Sequence, residues 1–185
     1  MIWNNYWARS FRASLGNAGM DEIGYIRRRF IGVIVGAALA FATMTSTRAS
    51  EVYEIRQIID MKALVPEDLY RFVPNYYWIK PNDTIRFLNS TGNHTVKSIP
   101  GIWPDGAEPI DIAHQSSYDV KLSVPGVYGF RCKVHARHGM FALIIVGRPE
   151  PNLIKARNAD LYDRARNVFD ELFMKLDADR KTRDN

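Results

Sequence analysis

Val127-Tyr-Gly-Phe-Arg-Cys132-Lys-Val-His135-Ala-Arg-His-Gly-Met140 runs without a break into Phe141-Ala-Leu-Ile-Ile-Val146. Both ends of this stretch are rich in β-branched and aromatic residues, as strands are. The middle is different. It places a thiol, an imidazole and a thioether on one connection, with two residues between Cys132 and His135 and four between His135 and Met140. So short a connection between strands can aim three side chains at one point near the end of a sheet. The stretch therefore predicts strand, ligand-bearing loop, strand.

Further strands are predicted on the N-terminal side. Val52-Tyr-Glu-Ile-Arg-Gln-Ile58, Tyr70-Arg-Phe-Val73, Tyr76-Tyr-Trp-Ile79, Thr84-Ile-Arg-Phe-Leu88, His94-Thr-Val-Lys-Ser-Ile99 and Tyr118-Asp-Val-Lys-Leu-Ser123 are short runs divided by turn signals. Pro74-Asn75, Pro81-Asn82-Asp83 and Val124-Pro125-Gly126 mark three of the turns. The stretch from Ile99 to Gln115 does not alternate and reads as a crossover loop. These signals predict an all-β fold, a Greek-key β-sandwich of about eight strands. After Gly147 the pattern becomes helical. Asn158 is expected to cap one helix with Leu161, Ala165, Val168, Phe169, Leu172, Phe173 and Leu176 on the face that packs against the sandwich. The charged tail Asp177 to Asn185 is expected to fray. The expected division is a leader at 1–49, a sandwich carrying the ligand-bearing loop at 50–148 and a C-terminal helical extension at 149–185.

Charge is concentrated in the leader. Residues 1–49 hold six Arg and two acids, a net of +4 out of the chain's +5. The basic balance is thus no sign of nucleic-acid binding, and no such partner is expected. Arg27-Arg28-Arg29 precedes an apolar run of 13 residues, Phe30 to Ala42, too short for an untilted membrane span and suited to a signal-peptide core. Small residues supply cleavage points after Ala42 or Ala49, and Met20 offers a second possible start. Arg27-Arg28-Arg29-Phe30-Ile31 resembles a twin-arginine export signal, with Ile26 where Ser or Thr is usual. The expectation is a monomer exported to the periplasm, with no stable membrane insertion after cleavage. An uncleaved membrane anchor is the alternative.

One cysteine cannot form an internal disulfide, so Cys132 is either a buried core residue or a working thiolate. Met140 beside Phe141 could equally be core. Order and spacing argue for the functional reading of the set. Sulfur donors with imidazole favour copper, and two histidines, one cysteine and a distant axial methionine form an electron-transfer site. The second imidazole must come from another strand. His94 opens one, after Asn89-Ser-Thr-Gly-Asn93, whereas His114 sits on the crossover and is expected to be exposed. Two rival classes explain less. A copper-delivery protein would favour exposed Met- or His-rich segments. A Cys–His nucleophilic enzyme lacks an evident orienting acid and leaves His94 and Met140 idle. Four histidines are too few for a multicopper oxidase.

Tyr128 to Met140, Asn93-His94-Thr-Val-Lys-Ser-Ile99 and Pro104-Asp-Gly-Ala-Glu108 together resemble the cupredoxins, the type 1 blue copper family. Val146-Gly-Arg-Pro-Glu-Pro-Asn-Leu153 and the helix after it resemble the helical extension of one branch of that family. The resemblance spans roughly residues 51 to 176. It implies one type 1 copper held by His94, Cys132 and His135 in the equatorial positions and Met140 in the axial one. It also implies electron transport without catalysis, with a c-type cytochrome and a copper nitrite reductase as redox partners. His135 would be the electron's exit. Ile102, Trp103, Pro104 and Met140 are expected to form an apolar docking patch, ringed by Lys97, Arg131, Lys133 and Arg137. Three positions depart from the family pattern. Thr95 stands where Asn commonly braces the copper loop, Val134 where Pro often stands, and His138 where Met is frequent. His138 is either a pH-sensitive neighbour of the site or a solvated surface residue.

Overall fold

A computed structural model describes residues 49–89 and 94–183. The stretch expected to be an export signal and Asn93 lie outside the described residues. The described strands are β1 Val52–Ile59, β2 Tyr70–Val73, β3 Tyr76–Ile79, β4 Thr84–Asn89, β5 Thr95–Ser98, β6 Asp111–Ala113, β7 Ser117–Lys121, β8 Gly126–Arg131 and β9 Phe141–Val146. Helices are α1 Pro66–Leu69, α2 Leu153–Arg157 and α3 Asp163–Arg183. One sheet has the order β2-β1-β4-β7 and the other β3-β9-β8-β5-β6. Pairs β1–β4 and β3–β9 are parallel and the rest antiparallel. This is the expected β-sandwich with a helical tail.

Strand residues alternate where only one face is covered. Ile55 of β1, Ile85 and Phe87 of β4 and Val120 of β7 point into the sandwich, against Ile79, Phe130, Ile144 and Val146 of the facing sheet. Strand β9 is buried at every residue. Its Ala142, Ile144 and Val146 face the sandwich, and its Phe141, Leu143 and Ile145 face α2 and α3. Phe141-Ala-Leu-Ile-Ile-Val146 shows no alternation because both of its faces are dry.

Three expectations need correcting. The Ile99–Gln115 stretch contains a strand, β6, which pairs Thr95 with Ala113 and Lys97 with Asp111 at the sheet edge. The helical extension is two helices, and Asn158 ends the first by donating its N–H to the Ile154 carbonyl at 3.1 Å. Arg166 then reaches back to the Arg157 and Ala159 carbonyls, so α2 stays capped while the chain turns into α3. The predicted stripe survives on α3 as Ala165, Phe169, Leu172, Phe173 and Leu176. Nor does the start of the tail fray. Asp177 pairs with Arg157 at 2.6 Å, Asp179 accepts from the Tyr76 hydroxyl at 2.9 Å, and the Arg183 guanidinium lies 4.1 Å from the centre of the Trp78 ring. These contacts carry the helix to Arg183.

Two close approaches set the sandwich end. Gly129 packs beneath Ile102, whose side chain would stand 2.8 Å from any Cβ there. Its N–H donates to the Ile102 carbonyl at 2.7 Å and its carbonyl accepts from Ile99 at 2.9 Å. Asn152 clamps the extension to β8: Val127 N–H donates to its Oδ1 at 2.7 Å, and its Nδ2 donates to the Val127 carbonyl at 2.9 Å.

Candidate metal centre

Two strand ends and one connection between strands supply the donors. His94 immediately precedes β5, Cys132 immediately follows β8, and His135 lies on the β8–β9 connection. Strands β5 and β8 are paired neighbours through Lys97–Arg131 and Ser98–Phe130, which carries His94 next to Cys132. The connection is held by its own backbone. Cys132 N–H donates to the Met140 carbonyl at 3.1 Å, and His138 N–H donates to the His135 carbonyl at 3.0 Å. Ala136–His138 form one 3₁₀ turn that ends at Gly139 with φ 94°, a left-handed conformation that favours glycine.

The donors converge. His94 Nδ1 and His135 Nδ1 are 3.0 Å apart, and Cys132 Sγ lies 3.9 Å from the first and 3.5 Å from the second. Two ring nitrogens facing each other at that distance either share a proton or offer both lone pairs to one cation. The adjoining thiol favours the cation. Metal-bound imidazole nitrogen lies about 2.0–2.1 Å from its ion and thiolate sulfur about 2.3 Å, so three such donors stand roughly 3–4 Å apart. The observed triangle has that size, and His94, Cys132 and His135 could hold one copper.

The surroundings favour ligation. His94 and Cys132 are buried, and His135 is half-buried. Burial, with a smaller contribution from His135, lowers the His94 pKa to about 4. Burial also lowers that of His135, helped by His138 and Arg137. Both imidazoles are therefore neutral near pH 7, the form that binds metal. Thr95 takes over the bracing role in its own way. Its N–H lies 3.5 Å from Cys132 Sγ and its hydroxyl 3.8 Å from the same sulfur, while Lys133 N–H donates to that hydroxyl at 2.7 Å. One side chain thus ties the strand carrying His94 to the loop carrying His135.

Met140 is fully buried at the loop's end, its carbonyl bonded to Cys132 N–H and its own N–H 3.4 Å from the His135 carbonyl. His138 is half-buried and accepts from Arg137 Nε at 3.1 Å. His114 is exposed, as expected.

The expected docking patch is not there. Ile102 and Met140 have no exposed surface, Trp103 only 8%, and Pro104 is buried as well. Trp103 turns inward, edge-on to Tyr128 and Phe130, because the segment that carries it folds down onto Gly129. The expected basic ring is also incomplete. Lys97 is paired with Asp111 at 2.6 Å and Arg131 is partly buried, whereas Lys133 and Arg137 are exposed. Around His135 stand exposed Val134 and a residue that sequence reading assigned only to a strand. Tyr70 stacks on the His135 ring with centroids 3.8 Å apart and planes 7° from parallel. Nothing local marks Tyr70, since an aromatic at a strand start is ordinary.

A sandwich of this topology, with a buried His–Cys–His cluster at one end, defines a cupredoxin. A family profile described as "Copper binding proteins, plastocyanin/azurin family" matches residues 59–147. Pseudoazurin of Methylorubrum extorquens is 33% identical over 139 residues, covering 75% of this chain and 90% of that protein. Pseudoazurin of Paracoccus pantotrophus is 33% identical over 99 residues, covering 54% of this chain and 68% of that one. The crystal structure of pseudoazurin from Methylobacterium extorquens superposes with a TM-score of 0.62 at 31% identity, covering 68% of this chain and 99% of that one. The chain belongs to this family as a pseudoazurin-like cupredoxin, an electron-transfer copper protein.

Proposed function

We propose that this chain is a periplasmic one-electron carrier in which His94, Cys132, His135 and Met140 would hold one copper. Bound copper supplies a reversible one-electron change between Cu(I) and Cu(II). The chain's own residues fix the donors and exclude water: Thr95 braces the loop, and burial keeps His94 neutral. His135, less buried than His94 and Cys132, is the edge through which a partner exchanges the electron. A c-type cytochrome and a copper nitrite reductase are the partners we infer, with Lys133 and Arg137 steering acidic surfaces towards the loop. Export by the leader at 1–49 through a twin-arginine route would bring the folded domain to the periplasm. Among the described residues no helix is long and apolar enough to cross a membrane, which is compatible with that reading.

The observation that carries the proposal is the convergence of two imidazole nitrogens and one thiol, all within 4.8 Å of one another. Adding Cu(II) to the mature protein is expected to give an intense blue thiolate-to-copper band, which Cys132→Ser abolishes. A colourless protein holding copper loosely would refute the carrier.

A further inference from the structure

Tyr70 touches His135, the least buried of the three clustered donors, and its position is fixed from several sides. It is the first residue of β2 and pairs with Ile59 of β1. One residue back, the Leu69 carbonyl accepts from Asp60 N–H at 2.8 Å, and one residue on, Arg71 pairs with Asp60 at 2.7 Å. Helix α1, just before Tyr70, packs against the 3₁₀ turn of the metal-binding loop. The ring itself is half-buried, stacked flat on His135, with His138 tilted against it at a centroid distance of 5.0 Å. A backbone tied this closely does not drift, so the stack is a constructed contact.

We propose that Tyr70 is a positioning residue for the metal centre. Its ring holds the His135 imidazole in the ligating orientation and keeps water off that ring's face, favouring the reduced centre. This rests on the copper reading above. Two effects of the ring oppose each other. An aromatic face attracts positive charge, which favours the oxidised centre. Covering the imidazole removes solvent from a site that carries one more positive charge when oxidised, which favours the reduced centre. The first effect is largest when a compact cation sits over the ring. Here a flat imidazole with delocalised charge lies parallel to it, so solvent exclusion dominates.

The test compares wild type with Tyr70→Phe, which keeps the ring, and with Tyr70→Leu and Tyr70→Thr, two strand-compatible residues that remove it. In the copper-free protein, ring-current shifts of the His135 ring protons are read by NMR. They are expected in wild type and the Phe variant and absent from Leu and Thr. In the copper-loaded protein, Leu and Thr are expected to shift the reduced-to-oxidised ratio at fixed poise towards oxidised by roughly threefold to tenfold, tenfold being about 59 mV for one electron. The Phe variant should stay close to wild type. Unchanged potentials in both Leu and Thr, or a Phe variant that behaves like them, would overturn the proposal. So would His135 resonances that are unmoved when the ring is removed. A wild-type protein that never turns blue refutes the copper reading instead, and the copper-free NMR comparison still judges the stack.

Discussion

His94 carries the most consequential single-residue chemistry after Cys132. In an unfolded chain its imidazole titrates near its ordinary value of 6.5, whereas burial in the fold lowers it to about 4. Between those values the unfolded chain binds a proton that the folded chain refuses, so stability rises with pH across the interval. The contribution is complete above the unfolded value and is lost as pH falls towards the folded one. At about 1.36 kcal/mol per pH unit, this amounts to about 3 kcal/mol in the copper-free protein. His135, also lowered by burial, acts in the same direction. Urea unfolding of the copper-free protein should therefore show a midpoint that drops steeply between about pH 6.5 and 4, and His94→Gln should flatten that profile. An equally steep profile in the variant would assign the loss to other groups. Thr95 illustrates a second point at this scale. Its N–H and its hydroxyl both face Cys132 Sγ, and the hydroxyl also accepts from Lys133 N–H, so the departure from Asn at this position leaves the loop braced.

Among the elements, the contact between β8 and the helical extension decides how well the metal loop is supported. β8 leads directly into Cys132, and Asn152 grips its Val127 on both backbone groups inside a dry interface. Asn152→Ala would leave a buried N–H and a buried carbonyl without partners, at about 1–3 kcal/mol each. A fall of about 2–6 kcal/mol in unfolding free energy at an unchanged denaturant slope is the expected result. A loss of less than about 0.5 kcal/mol would show that water or a neighbour replaces the clamp. The same interface explains what could be read in advance. Strands with one wet face, such as β4 with Ile85 and Phe87 buried, announce themselves by alternation, and the donor loop announces itself by spacing within a few residues. The split between α2 and α3 depends on Arg166 reaching back to two carbonyls, and the start of the tail depends on Tyr76 and Trp78 from a distant strand. The buried Trp103 and the Tyr70 stack depend on which segments fold over which. Such long-range contacts leave no periodic trace in a single sequence.

At the scale of the described sandwich and its helices, the donor triangle is already assembled. His94, Cys132 and His135 arrive from β5, from the end of β8 and from a loop tied by its own hydrogen bonds. Their spacing of 3.0–3.9 Å is maintained by a core that runs from Ile55 through Phe87 and Phe130 to Ile144. A site prepared in this way should bind metal without refolding. On the proposed copper reading, the folded chain offers the assembled triangle to the ion whereas the unfolded chain offers only scattered donors, so loading would stabilise by mass action. With free copper at about a thousand times the dissociation constant, that stabilisation is about 4 kcal/mol. Thermal unfolding of the loaded protein should therefore occur well above that of the copper-free protein, and chelation should reverse the gain. Far-UV circular dichroism should be nearly the same in both forms, because no strand waits on the metal. A large gain in strand signal on loading would mean instead that the ion organises β5 and the β8–β9 loop, as it does in small domains that are unfolded without metal. A rigid, preassembled site also suits electron transfer, since a triangle set by packing changes little between the two charge states and adds little rearrangement to the transfer.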